Sequence, residues 1–520
     1  MTAKSRYDFL CGSRNSYLDI AVQCSELTLP YLITRDEQRN SIKTLTQPWQ
    51  SVGAKAVVTL ASKLMLALLP PQTTFFKFQI ADEKLGTELP AEIRSELDLS
   101  FAKLERMVMD SIAASSDRVT VHQAIKHLVV GGNALLFLGT DGIKHYPLNR
   151  YVVERDGNGN VIEIVTKELI DKSLLPKELQ EEYKKSLHDN HGSVATDVEV
   201  YTHCKLQNNR WVWHQEAFDK VMPKSRSTAP KDACPFLVLR FNTVDGENYG
   251  RGRVEEFLGD LKSLEALSQA ITEGSAAAAK VVFLVSPSST TKPQTLAKAG
   301  NGAIIQGRPD DVAVVQVGKT ADFATAAQQM QTLERRIAEA FLVLTVRQSE
   351  RTTAEEVRLT QLELEQQLGG LFSLLTVEFL VPYLNRKLLL MKRSGELPSY
   401  PKKLVKPTIV AGINALGRGQ DRESLTNFIM TIAQTIGPEG MMQHLNADEF
   451  IKRLAAAQGI DVLNLVKSMD QQQEEQQAAM QQEQQMEMTK QAGQMASAPM
   501  NDPSKNPALA AELEQQPPEQ

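Results

Sequence analysis

The chain has 520 residues, 42% hydrophobic and 23% charged, an ordinary globular balance with room for roughly two to four structural units. Its 57 basic and 63 acidic side chains give a formal net charge of −6. That excludes a basic excess able to pull the whole chain onto nucleic acid, so any such contact must be local or weak.

The N-terminal stretch MTAKSRYDFLCGSRNSYLD lacks the apolar centre of a signal peptide. The most apolar run, VVTLASKLMLALLPP, is interrupted by Lys63 and ends at Pro70, too short to span a bilayer; it is expected to be a buried helix. Cys11, Cys24, Cys204 and Cys234 form no CxxC pair and no metal spacing, so buried thiols in a reducing compartment are expected. The protein is expected to be cytoplasmic and soluble until it assembles.

Residues 1–250 read as mixed α/β. SVGAKAVVTLASKLMLALL is a helix stopped by Pro70-Pro71, and FFKFQI after it alternates like a strand. In EIRSELDLSFAKLERMVMDSI, Ile93, Leu97, Phe101, Leu104 and Val108 recur at helical spacing. VHQAIKHLVVGGNALLFLG passes from helix through Gly131-Gly132 into a strand. YVVERDGNGNVIEIVTKEL predicts a hairpin, its DGNGN supplying the positive φ angles of the turn. DVEVYTHCKL, NRWVWHQEAF and CPFLVLRFN are further strands.

At residue 252 the pattern changes to a helix, residues 252–280, with Val254, Phe257, Leu261, Leu264, Leu267 and Ile271 along one stripe. Glu255, Glu256 and Asp260 suit its positive end. Residues 281–321 return to short β-like runs, VVFLVS, AIIQG and VAVVQV. Helix resumes over 322–344, with Phe323, Met330, Leu333, Ile337, Phe341 and Leu344 on its apolar face. Both helices exceed twenty residues and would reach at least roughly 30 Å, with a small β-rich insert at their tip.

Next comes TVRQSERTTAEEVRLTQLELEQQLGG, residues 345–370. Thr353 and Glu356 form a capping box for another long helix. Its stripe of Val357, Leu364, Leu368, Leu371 and Leu375 crosses Gly369-Gly370, where a kink is expected; Pro382 disturbs or restarts it. Pro398, Pro401 and Pro407 mark a break, and residues 408–469 read as a small helical unit. From about 470 the chain is rich in Gln, Met and Glu with late prolines, a partly helical and then disordered tail.

Candidate chemistry is sparse. AVVQVGKT ends in Gly318-Lys319-Thr320 before a helix and superficially matches a phosphate-binding loop. Ala313, Val314, Val315 and Val317 are stiff and β-preferring, however, and would extend a strand rather than curl around phosphate. His188 and His191 lack a third metal ligand nearby. His122 and His127, five apart, point to different parts of a helix surface. Asp156 in DGNGN stands alone and makes a poor calcium loop. No nucleophile–base signature appears, so no catalytic centre, cofactor or metal is expected. Arg347 and Arg351, softened by Glu350, are ordinary surface charges on one chain; around a common axis their weak phosphate contacts would multiply.

Several long ordered strings carry a resemblance: QPWQSVGAKAVVTLASKLMLALLP, AIKHLVVGGNALLFL, YVVERDGNGNVIEIVT, DVEVYTHCKL, GENYGRGRVEEFLGDLKSLEALSQAI, QGRPDDVAVVQVGKTADF, RTTAEEVRLTQLELEQQLGG and KPTIVAGINALGRGQD. Between about residues 45 and 420 the chain resembles the portal, or head–tail connector, proteins of T7-like short-tailed bacteriophages. The resemblance implies an α+β, mainly helical fold assembled as a twelve-membered ring at one capsid vertex. Residues 1–251 would form a wing, 252–280 the first stem helix, 281–321 a small α/β clip and 322–344 the second stem helix. Residues 345–353 would be a tunnel loop, 354–400 a long wing helix, 401–470 a helical crown and 471–520 a Gln-rich flexible or barrel tail.

The same resemblance implies a conduit for double-stranded DNA, entering during packaging and leaving during ejection. Implied partners are the terminase large subunit (the packaging ATPase), scaffolding and major capsid proteins, and a tail tube or adaptor protein; no membrane is involved. The implied location is the virion portal vertex, with the host cytoplasm before assembly. Arg347, Gln348, Ser349 and Arg351 would face DNA; Arg308, Asp310 and Asp311 are candidate clip contacts from their polarity. Twelve copies would carry −72. Since duplex DNA bears one charge per roughly 1.7 Å, acidic walls with a few arginines favour passage over capture. Two other classes remain: a helical scaffold or adaptor that forms no ring, and an ATP-hydrolysing motor subunit resting on the GKT triplet.

Overall fold

Thr2 accepts a hydrogen bond from the Ser5 amide at 3.3 Å and caps α1 (Ala3–Glu26), a helix the sequence reading does not single out. Tyr7, Leu10, Arg14, Leu18, Ala21 and Cys24 lie on its buried face. Arg14 interrupts that apolar stripe; its guanidinium donates to the Tyr7 hydroxyl and the Asn149 carbonyl, both at 2.9 Å, while its Nε is buried without a partner.

The computed structural model describes residues 2–35, 45–70, 74–80, 91–180, 197–278, 282–288, 291–300, 303–306, 308–315, 320–343, 370–397 and 405–409, with short pieces at 428–432, 434–435, 486 and 488–490. The chain divides into two units, Met1–Gly417 and Arg418–Gln520. The first contains every element discussed below.

α2 (Val52–Leu68) ends just before Pro70, as expected, and buries Val57, Leu60, Ala61, Leu64 and Leu68. No described helix is long and apolar enough to cross a membrane. β1 (Phe76–Ile80), α3 (Ala91–Ala114) and α4 (Asp117–Gly131) follow. Gly132, at φ +71°, ends α4 in the left-handed region and turns the chain into β2 (Asn133–Gly139). β2 pairs with β3 (Gly142–Tyr146) and with β10 (Phe236–Arg240).

A second sheet is antiparallel throughout and runs β4 (Tyr151–Arg155), β5 (Val161–Asp171), β6 (Asp197–Gln207), β7 (Arg210–Ala217) and β8 (Lys220–Val221). β9 (Ser227–Pro230) also pairs with β7. The DGNGN hairpin forms between β4 and β5. Asp156 Oδ1 accepts the Asn158 and Asn160 amides at 2.9 and 2.7 Å, and Gly159 sits at φ +78°. Two-residue turns with both residues at positive φ, Asn208-Asn209 and Phe218-Asp219, close the next hairpins.

Three expectations about local structure need correction. The helix expected over 252–280 is interrupted at Phe257, giving α5 (Arg253–Glu256) and α6 (Leu258–Ala278). Residues 303–306, from the apolar AIIQG run, form no strand; Ile304 is fully exposed and has no partner ladder to extend. The insert instead contains β11 (Val282–Val285), a short α7 (Pro293–Lys298) and β12 (Val312–Val315). The small helical unit expected from 408 starts too early, because residues 405–409 form β13, antiparallel to β1. Pro407 is tolerated on the edge of a two-stranded sheet.

α8 spans Thr320–Ala340. Residues 370–375 are helical, and Thr376–Leu380 widens into a π turn before α9 (Val381–Ser394). Pro382 stands in the first turn of α9, where its missing amide is least harmful. The restart expected at Pro382 is thus a helix of altered register. One large core joins α1–α4, the β2 sheet, the bases of α6 and α8, and α9.

His127 on α4 and His145 on β3 meet within this core, ring centroids 4.3 Å apart. His127 Nδ1 and His145 Nε2 are sealed from solvent without a hydrogen-bond partner, although His145 as a residue is half-buried. Burial holds His127 well below the usual imidazole range, with His145 adding to the effect, and burial lowers His145 to about 4. The unfolded chain therefore binds these protons more tightly, so stability falls as pH drops from about 6.5 to about 4. For His145 the full loss would approach about 3 kcal/mol, trimmed to about 2 by partial solvent access. Urea unfolding at pH 7 and pH 4.5 should show this loss, and His145→Phe should reduce the pH dependence; an unchanged dependence would refute it.

Candidate functional site: a helical pair bearing a β hairpin

α6 and α8 run antiparallel, as four contacts along their length show. Phe257, just before α6, meets Phe341 edge-on at 5.7 Å between ring centroids. Asp260 and Arg336 form an ion pair at 3.2 Å, and Ser268 Oγ lies 3.6 Å from Met330 Sδ. At the far end, a Cβ on Gly274 would stand 2.6 Å from the Phe323 ring, so the absence of a side chain there makes room for that ring. Burial is graded along the pair. Leu261, Leu264, Ile337 and Phe341 at the base are sealed in the main core, whereas Leu267 and Ile271 farther out are half-buried. Each 21-residue helix spans about 30 Å.

β11 and β12 pair antiparallel between the two helices, from Val282↔Val315 to Val285↔Val312. Arg308 and Asp310 are exposed. Asp311 is tied inward: its Oδ2 accepts from the Arg308 amide at 3.3 Å and from Thr291 Oγ1 at 3.2 Å, and its carbonyl accepts the Ser286 amide at 3.0 Å. Of the three residues singled out here, Asp311 thus braces the insert, while Arg308 and Asp310 present their side chains outward. Val317, Gly318 and Lys319 lie outside the described residues; Thr320 opens α8, and Val314 and Val315 lie in β12.

α8 ends in a tight, well-bonded turn. Leu342 adopts φ +56°, the Val343 amide donates to the Ala338 carbonyl at 2.7 Å, and the Leu342 amide donates to the Glu339 carbonyl at 3.1 Å. This is a Schellman closure with leucine where glycine is usual. Two cations from elsewhere in the chain complete it. Lys63 Nζ donates to the Leu342 carbonyl at 2.6 Å and Arg253 Nη2 to the Ala340 carbonyl at 3.2 Å, both favourable at a helix C-terminus. Thr345 to Arg351 follow directly. Arg347, Gln348, Ser349 and Arg351, the Thr353–Glu356 capping box and His188 and His191 all lie outside the described residues. His122 is half-buried, 3.4 Å from Ser62 Oγ, while His127 belongs to the core pair above.

Downstream, the π turn aims Glu378 into the β sheets. Its Oε1 accepts from Arg240 Nε and Nη2 at 2.9 and 2.7 Å and from Arg155 Nη1 at 3.4 Å, and its Oε2 accepts the Arg240 amide at 2.8 Å. Burial lowers Arg155 to about 10 against the opposing pull of Glu378. On α9, Tyr383 and Lys387 both donate to Asp117 Oδ2, at 2.8 and 3.1 Å. Sequence reading finds neither these anchors nor Lys63 and Arg253, since each pair is separated by more than 80 residues. A buried carboxylate inside an otherwise apolar helix stripe, such as Glu378, was the one local signal.

The described residues thus form an α/β body from which an antiparallel helical pair with a buried base leads to a two-stranded β ladder. The sequence comparisons name the family: residues 1–464 match the bacteriophage head to tail connecting proteins, and the chain belongs to that family. It is 36% identical over 484 residues to the portal protein of Escherichia phage T7, covering 91% of this chain and 89% of that one. To the portal protein of Enterobacteria phage T3 it is 37% identical over 481 residues, with the same coverage. Among solved structures, a chain from the neck of a native gene transfer agent particle computed with C12 symmetry aligns at 14% identity and TM-score 0.34, covering 79% of this chain and 90% of that one.

Proposed function

We propose that twelve copies of this chain close into a ring at one capsid vertex, and that duplex DNA passes through the bore during packaging and ejection. The observation that carries this reading is the helical pair itself. Among the described residues α6 and α8 join the main core at their base, and their half-buried outer stretches leave flanks that neighbouring copies would cover. In this reading α6 and α8 are the stem, residues 281–321 the clip and residues 1–251 the wing. Residues 345–353 form the tunnel loop, 354–400 the long wing helix, 401–470 the crown and 471–520 the tail.

Arg347, Gln348, Ser349 and Arg351 then meet DNA around the bore, on a loop that starts from the braced end of α8. A phosphate contact repeated by twelve copies stays weak at each one, and the acidic balance of the rest of the chain limits retention. The outward Arg308 and Asp310 serve as docking residues for the terminase large subunit and later for the tail tube or adaptor. The scaffolding and major capsid proteins are partners during assembly, in the host cytoplasm.

Negative-stain images and native mass spectra of the purified full chain test the ring. Closed twelvefold particles with a duplex-wide hole are expected; monomers or open filaments would replace this reading with a non-ring adaptor, and ATP turnover lost in Lys319→Ala with a motor. For the loop, Arg347→Glu combined with Arg351→Glu should leave rings intact and reduce DNA packaging or retention. Normal packaging by that double variant would remove the loop from the bore.

A further inference from the structure

One face of the six-stranded sheet carries a row of ionisable side chains beneath the first turn of α1. His203 on β6 and His214 on β7 stand directly opposite each other in the ladder, with ring centroids 5.5 Å apart. Each ring is held through Nε2 by a carboxylate: Glu163 Oε1 lies 2.7 Å from His203 and Glu216 Oε1 lies 2.8 Å from His214. Both carboxylates are fixed in turn. Glu163 accepts from Arg6 Nε at 3.1 Å and Nη2 at 3.0 Å, and Glu216 Oε2 accepts the Ala3 amide at 2.6 Å.

An ionised carboxylate can only accept a hydrogen bond. Each Nε2 therefore carries a ring proton, which leaves Nδ1 as the lone-pair nitrogen of the neutral ring. Neither Nδ1 is hydrogen-bonded among the described residues, and neither is sealed from solvent; the two side chains are 18% and 23% exposed. An imidazole whose far N–H is given to a carboxylate is the usual form of a metal-ligating histidine, oriented and made more basic. Two such lone pairs on adjacent strands, within reach of solvent, suit a borderline-soft divalent cation.

We propose that His203 and His214 form a two-histidine site for a divalent transition cation such as Zn²⁺, with Nδ1 of each ring as ligand and water completing the shell. Glu163 and Glu216 are positioning residues, touching the rings rather than the ion. Among the described residues no group of three or more His, Cys, Asp and Glu is arranged to hold a metal, so the affinity is moderate. Lys205, 3.8 Å from Glu163, and Arg6 add positive charge that limits it further. Because the same carboxylates hold Ala3 and Arg6, an ion on the rings would also fasten the start of α1 to the sheet.

Calorimetric titration of Zn²⁺ into the assembled full chain at about pH 7.5 tests the site. His214→Gln should weaken binding at least about tenfold, Glu216→Gln about tenfold, and His122→Gln not at all. Cu²⁺ paramagnetic resonance provides a readout independent of stability, with two nitrogen donors in the parent protein and one in His214→Gln. Equal Zn²⁺ affinity and stoichiometry in the parent and His214→Gln, or an unchanged nitrogen count, would overturn the proposal.

Discussion

Gly132→Ala should leave little folded protein, whereas Gly246→Ala should fold with a loss of about 1 kcal/mol. Both glycines sit at nearly the same left-handed φ, +71° and +79°, so the backbone penalty is shared. What differs is space. A Cβ on Gly132 would stand 2.4 Å from the Arg251 carbonyl carbon, 2.5 Å from the Gly252 amide nitrogen and 2.6 Å from the Gly250 oxygen, while nothing lies within 4 Å of one on Gly246. Two chain segments cross here backbone to backbone. Gly250 and Gly252 are equally tight against Gly132 and Val130. Asn133 staples the crossing, donating to the Gly131 and Gly250 carbonyls at 2.9 and 2.8 Å and accepting the Gly250 amide at 2.7 Å. All the close atoms are backbone, so relief requires moving the start of α5 away from α4, and a loss above about 4 kcal/mol is expected. Urea midpoints of the two variants decide the matter; similar losses would show that the crossing can relax.

Glu378→Ala should cost about 3–5 kcal/mol, because it strands two buried guanidiniums that share one carboxylate. Arg155 also donates to the Gly159 and Val238 carbonyls and to the Asn248 carbonyl. The orphaned charge would therefore loosen the hairpin turn, β10 and the 242–251 loop together. Glu378→Gln should cost less, since its amide oxygen still accepts from Arg240. Replacing Arg155, Arg240 and Glu378 together by apolar residues of similar volume should recover much of the loss, as no charge remains to be solvated. Denaturation of the single and triple variants measures both effects; a loss under about 1 kcal/mol in Glu378→Ala would mean that water reaches the guanidiniums.

Local signals are legible where one residue type has one physical use. The Gly131-Gly132 passage from helix to strand and the DGNGN turn depend on backbone freedom that few residues supply, and the Pro70 stop depends on proline's fixed φ and missing amide. The periodic helices at 322–344 and 252–280 were also legible, apart from the break at Phe257. α1 was not, because a buried arginine occupies its apolar stripe. The AIIQG run misled because β propensity without a partner strand makes no ladder. The π turn lies just before Pro382, whose register change is legible, but the partners it brings to Glu378 (Arg155 and Arg240) lie far away in the chain. The same limit applies to the candidate site. Its helices could be read from their periods, but the cations that brace the end of α8, and the inward tie of Asp311, are tertiary facts. The arginines of 345–353 could be read as chemistry and lie outside the described residues.

The ladder between β1 and β13 joins segments more than 320 residues apart. Phe76 and Phe78 of β1 are buried in the finished molecule and stack near Phe75 and Phe101. On the ribosome, at about 5–20 residues per second, their partner strand emerges on the order of tens of seconds later. Throughout synthesis an aromatic strand edge waits unpaired, a hazard for sticking to other nascent chains. Translation speed and chaperone supply, more than final stability, should therefore govern how much usable protein a cell obtains.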